Sequence, residues 1–74
     1  MMEQYIYEDE YRGQKRKLLI LSVQNGSGYR VFSEAKFIGV ISPVSNGNSI
    51  IWQTDYNVLK PIAGKIGEWI ENSN

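Results

Sequence analysis

The sequence predicts an α+β domain: an antiparallel meander of about five strands packed on one C-terminal helix. Three observations carry that reading. Up to residue 54, β-favouring residues come in short runs separated by turn chemistry such as Gly13-Gln14, Asn25-Gly26 and Asn46-Gly47. After Asp55 the apolar residues recur instead at three- and four-residue steps, the period of a helix with one buried face. A length of 74 residues leaves room for a single domain, 1–74.

The first strand, residues 4–11, opens on Tyr5-Ile6-Tyr7 and runs through Glu8-Asp9-Glu10 to Tyr11. A Gly13-Gln14 loop of the II′ kind returns it into a second strand, residues 16–23, because glycine takes a positive φ without steric cost. In that register Arg12 faces Lys15, Tyr11 faces Arg16 and Glu10 faces Lys17. The last two pairs are favourable, one as a cation–π contact and one as an ion pair. Asn25-Gly26-Ser27-Gly28 is the clearest turn in the chain and leads to a third strand, residues 29–33.

Glu34-Ala35 turns the chain into a fourth strand, residues 37–42. Alanine is a poor residue for positive φ, so a loop longer than two residues is expected there. Gly39 marks a bulge or bend, covered by Phe32 of the neighbouring strand. Pro43 ends the strand, residues 45–48 make a polar turn, and a fifth strand, residues 49–54, centres on Trp52.

The helix is expected over residues 58–72. Leu59, Ile62, Ala63, Ile66, Trp69 and Ile70 fall on one face, and Lys60, Gly64, Glu68 and Glu71 on the other. Asp55 or Asn57 supplies the N-cap oxygen, and Pro61 is tolerated only in the first turn. Gly64 and Gly67 each cost about 1 kcal/mol relative to alanine inside a helix, so this helix depends on docking. Trp52 and Trp69 are expected to meet in the core between the fifth strand and the helix.

Composition excludes more than it assigns. The chain has no cysteine and no histidine, which removes the commonest nucleophile, the commonest general base and the usual zinc ligands. No catalytic residue, cofactor site or metal ligand is assigned. Ser22, Ser33, Ser42, Ser45 and Ser49 have no histidine to activate them, and the sequence singles out no desolvated lysine for the purpose. Eight basic residues balance eight acidic ones, so no one-signed charge points to a polyanionic partner. A core this small is marginal without a disulfide or metal, which makes self-association an expectation. The first residues lack the pattern of a secretory signal, and the longest apolar run, residues 18–21, is far too short to span a bilayer. A cytoplasmic protein without membrane contact is expected.

One helix covers one face of a sheet, and here both faces are apolar. Strand parity sorts Ile6, Leu19, Leu21, Val23, Phe32, Phe37, Ile41, Ile50 and Trp52 to one side, the richer set, which is assigned to the helix. The other side carries Tyr5, Tyr7, Tyr11, Leu18, Ile20, Tyr29, Val31, Ile38 and Val40. Left in water, that side reads as an interface, with Tyr5, Tyr7, Leu18, Ile20 and Tyr29 as contacts for a second copy or another protein. A sheet coiled into a partly closed barrel would bury both sides instead.

Half of the basic residues, Arg12, Lys15, Arg16 and Lys17, sit in the first hairpin. Beside tyrosines they suggest single-stranded nucleic acid held by charge and stacking. The plainer reading is a solvated hairpin whose cations pair with Glu8, Asp9 and Glu10. The layout alone resembles the whirly and transcriptional-coactivator class of single-stranded DNA binders, and that resemblance implies the same second reading. Residues 25–28 are glycine-rich but lack the lysine and the following helix of a phosphate loop. Glu8, Asp9 and Glu10 read as solvated charges guarding an edge rather than as an acid–base pair or a hard-cation site.

Overall fold

A computed structural model describes residues 4–23 and 28–73. Five strands follow in sequence order across the sheet: β1 (Gln4–Tyr11), β2 (Gln14–Ser22), β3 (Tyr29–Ser33), β4 (Lys36–Asn46) and β5 (Ser49–Gln53), with α1 (Ala63–Ser73) last. Every neighbouring pair is antiparallel, so the architecture is the expected α+β meander with one helix. The helix packs against β1 at one edge and against β4 and β5 at the other. The sheet therefore curls around it and leaves its convex side outside.

Local chemistry explains where the boundaries moved. The first hairpin turns at Arg12-Gly13, with φ of 53° and 79°, one residue earlier than expected. Tyr11 then faces Gln14, Glu10 faces Lys15, Asp9 faces Arg16 and Glu8 faces Lys17. Two positive φ values in a two-residue loop match the right-handed strand twist, and that match outweighs the cost of placing arginine there. Glu34 and Ala35 form an equally tight turn at φ of 51° and 66°, so the longer loop expected there does not form. Strand pairing on both sides holds two non-glycine residues in the left-handed region. The turn at residues 25–27 lies outside the described residues. At its flank the Val23 N–H donates to the Gly28 carbonyl at 2.9 Å.

β4 continues through Pro43, which pairs with Trp52 instead of ending the strand. Pairing with β3 stops at Ile41, so Pro43 lies where β4 has a neighbour on one side only, a position that tolerates a missing N–H. α1 starts at Ala63, later than expected, because Pro61 offers no N–H to a regular first turn. Residues 56–62 make a tight turn first, with Leu59 and Lys60 N–H both donating to the Tyr56 carbonyl. Neither Asp55 nor Asn57 supplies the cap in the described contacts. Thr54 does so for the turn: its Oγ1 accepts from the Tyr56 N–H at 3.1 Å and donates to the Val40 carbonyl at 2.7 Å.

The core consists of Tyr7, Leu18, Ile20, Val31 and Ile41 from the sheet, closed by Leu59, Ala63, Ile66 and Ile70. The helical stripe is the expected one at Leu59, Ala63, Ile66 and Ile70, but Ile62 is half-buried and Trp69 is exposed, as are Lys60, Gly64, Glu68 and Glu71. Beneath it β1 to β3 present the reverse of the expected face, with Tyr7, Leu18, Ile20 and Val31 inward, while Ile41 and Trp52 lie on the helix side as expected. Among the described residues, no helix is long and apolar enough to cross a membrane.

Candidate functional site

Two surfaces remain once the helix is seated: the convex sheet face and the projecting end of the first hairpin. The convex face is set by parity. Tyr5 and Tyr7 pair with Ile20 and Leu18, and these turn toward α1, so Ile6 and Leu19 turn outward. Leu19 pairs with Phe32 and Phe32 with Phe37, giving an apolar row Ile6-Leu19-Phe32-Phe37 across four strands. Ile6 is 50% exposed and Phe37 44%. Phe37 makes edge contacts with Phe32 at 5.7 Å and with Tyr56 at 5.9 Å, so the row extends into the turn before the helix.

The expected interface residues lie on the other side. Leu18 and Ile20 are fully buried and Tyr7 nearly so, while Tyr5 and Tyr29 pack against the same core. This corrects the assignment of Tyr5, Tyr7, Leu18, Ile20 and Tyr29 to an interface: α1 covers them. Counting apolar residues chose the wrong face because both faces are apolar. What distinguishes them is room for close approach. Gly39 sits opposite Val31, and a Cβ there would lie 2.6 Å from Leu59 Cδ1 and 2.7 Å from Tyr56 Cγ. The covering group is thus the pre-helical turn, not Phe32. A glycine within a strand marks the face that another chain segment approaches, and this signal was present in the sequence.

A bulge beside Gly39 completes the sorting. The register shifts between Val31 and Phe32, leaving Ile38 as the extra residue. Ile41 and Trp52 thereby lie on the helix side, as expected, whereas Phe37, expected on that side too, faces out with Val40. Trp52 and Trp69 do not meet. They end a row of rings in which Trp52 contacts Tyr29 at 5.6 Å, Tyr29 contacts Tyr5 at 6.2 Å and Tyr5 contacts Trp69 at 5.9 Å. Trp52 lies flat over Gly67, where any Cβ would overlap the indole, and its Nε1 donates to Glu71 Oε2 at 2.8 Å.

The hairpin end is built differently. β2 runs on from Leu18 to Gln14 beyond its last pair with β3, Leu18 with Ser33, so residues 8–17 project as a two-stranded arm. Arg16 Nε and Nη2 donate to Asp9 Oδ1 and Oδ2 at 3.0 and 2.8 Å, with both side chains about 15% exposed. The same guanidinium lies 4.5 Å from the Tyr11 ring centre, and Arg12 lies 5.3 Å from it. The hydrogen bonds to Asp9 hold the Arg16 pKa above its ordinary value against partial desolvation. Burial, and next the Asp9 charge, raise the Tyr7 phenol, and Arg16 partly offsets both.

Lys17 lies 3.8 Å from Glu8, both exposed, and Lys15 faces Glu10. The arm therefore answers three of its four cations with acids one strand away, which weakens its field toward a phosphate backbone. Glu8 and Asp9 point to opposite faces, each toward its own cation. Among the described residues no group of three histidine, cysteine, aspartate or glutamate side chains is placed to hold a metal ion. Comparison of the chain with family models, curated proteins and solved structures returns no match, so the layout resemblance to single-stranded DNA binders gains nothing from it.

Proposed function

We propose that this protein is a small non-catalytic association module that pairs with a second copy through the convex face of its sheet. The observation that carries the proposal is the uncovered row Ile6-Leu19-Phe32-Phe37. It is apolar across four strands and continuous with Tyr56. Contiguous apolar surface of this kind is costly in water and is used for contacts. The charges around it fit a copy of the same chain. Glu8 and Lys17 stand together at one border of the row and Arg30 at the other, so a two-fold partner meets both signs.

The edges of the arm are poor routes to the same end. An isologous pairing of β1 with β1 would bring Glu8-Asp9-Glu10 near a second acidic run. The face is the better surface.

Light scattering coupled to size exclusion tests this directly. The expected mass is about twice 8.5 kDa at high protein concentration, falling toward one copy on dilution. Phe32→Ser and Ile6→Thr are expected to give a monomer with the native circular dichroism. A wild-type chain that stays monomeric at millimolar concentration overturns the proposal. The competing nucleic-acid reading predicts salt-dependent oligonucleotide binding that weakens in Arg12→Ala and Lys15→Ala.

A further inference from the structure

The meander leaves one strand edge uncovered beside a basic run. β2 pairs with β1 from Gln14 to Leu21, but β3 accompanies it only as far as Leu18. The reason is the turn at Glu34 and Ala35, which takes the chain away at φ of 51° and 66°. Past that turn lies a concavity of about 400 Å³, walled by Tyr11, Lys15, Arg16 and Lys17 on the arm and by Ser33 and Glu34 at its closed end.

Backbone geometry says what this notch presents. Residues in an antiparallel strand turn their N–H and C=O groups alternately to the two neighbours. Gln14 closes the two-residue hairpin with Tyr11, so its groups face β1. Lys15 and Lys17 therefore turn theirs to the side that β3 has vacated. Their side chains stand on the convex face, and Arg16 and Tyr11 stack on the other.

We infer that the notch binds an extended acidic peptide segment by strand addition to β2. The segment's main chain bonds to the Lys15 edge, and its carboxylates lie beside Lys15 and Lys17. Alternate apolar side chains would rest on the Tyr11–Arg16 stack. The segment's carboxylates compete with Glu8 for Lys17 and with Glu10 for Lys15; the exposed 3.8 Å pairing of Lys17 with Glu8 is worth little in water and yields to them. Glu34 closes the notch and sets where the segment stops. An arm held by the Arg16–Asp9 pair is pre-organised, which reduces the ordering cost of binding. This surface meets the convex-face dimer at Lys17, which borders both, but the free β2 edge lies outside the Ile6-Leu19-Phe32-Phe37 row, so peptide binding and self-association are read by separate measurements.

The test is a titration of the full chain with a short blocked peptide alternating glutamate and valine, followed by amide NMR. Shifts are expected at Lys15–Lys17 and Ser33–Glu34, with the Lys15 amide newly protected from exchange. Lys15→Pro removes both the notch-facing N–H and the Lys15 ammonium and leaves the β1 ladder intact, and it is expected to weaken binding by at least about tenfold, more than Lys15→Ala, which keeps the N–H. Lys17→Glu keeps the backbone and is expected to turn the preference to a lysine–valine peptide. Several results would overturn the inference: no binding, equal binding by Lys15→Pro, shifts confined to Ile6 and Phe37, or displacement of the peptide by a single-stranded oligonucleotide at the same amides.

Discussion

Glu34 and Ala35 hold a backbone conformation that costs L-residues about 1–2 kcal/mol each, and nothing in their side chains offsets it. Ala35→Gly relieves that strain but gives the unfolded chain more freedom. The net expectation is a gain of about 0.5–1 kcal/mol, read as a higher urea midpoint at unchanged slope. Arg16 is the opposite case, a side chain with several roles at once. It is bidentate to Asp9, stacked on Tyr11 and close to Tyr7. Arg16→Ala should cost about 1.5–3 kcal/mol, since Asp9 keeps its charge and loses its donors.

The pH response follows from the same cluster. The raised Tyr7 pKa means that the unfolded chain loses this proton more readily than the folded one. Its stabilising share is complete below the ordinary value of 10.0 and is lost as pH rises through the raised folded value. Arg16, also raised, holds its share until more alkaline pH still. Stability is therefore expected to be level from neutrality to about pH 10 and to fall above it. Denaturant midpoints of Tyr7→Phe should fall less steeply over that alkaline range, and identical slopes would show that Tyr7 is not responsible.

At the scale of elements, α1 contains two glycines with opposite roles. Gly64 has nothing near the position of a Cβ, so Gly64→Ala should stabilise the protein by about 0.5–1 kcal/mol through helix propensity alone. Gly67 is where the Trp52 indole lies against the helix backbone, so Gly67→Ala must displace the indole and break its bond to Glu71. A loss of about 1–3 kcal/mol is expected, with a change in tryptophan fluorescence that Gly64→Ala does not show. The helix thus accepts one poor residue for close packing, and the other is a place where stability can be added.

For the whole molecule, one helix and a curled sheet enclose one core and leave the second apolar face outside. Removing that face's side chains should separate association from folding. Phe37→Ser is expected to change the unfolding free energy by less than about 1 kcal/mol while lowering the dimer fraction, because 44% of its surface is already in water. Leu18→Ala, in the core, should cost about 2–5 kcal/mol. Thermal melts beside light scattering check the contrast, and equal destabilisation by both would mean that the convex face belongs to the core.

The sequence by itself determined the element order, the antiparallel pairing and the helical stripe at Leu59, Ala63, Ile66 and Ile70. These follow from local turn chemistry and from apolar period. It also indicated that the arm's cations answer its acids, since the residues that pair are neighbours across one short hairpin. Apolar count assigned the helix to the wrong side of β1 to β3, because parity labels two sides without saying which is concave. Only the tertiary structure decided it. Ile41 and Trp52 lie on the helix side as expected, the bulge at Ile38 separates them in parity from Phe37, and Gly39 and Gly67 let the pre-helical turn and Trp52 approach closely on that side alone. Close approach depends on atoms distant in sequence, so it is settled when the chain packs.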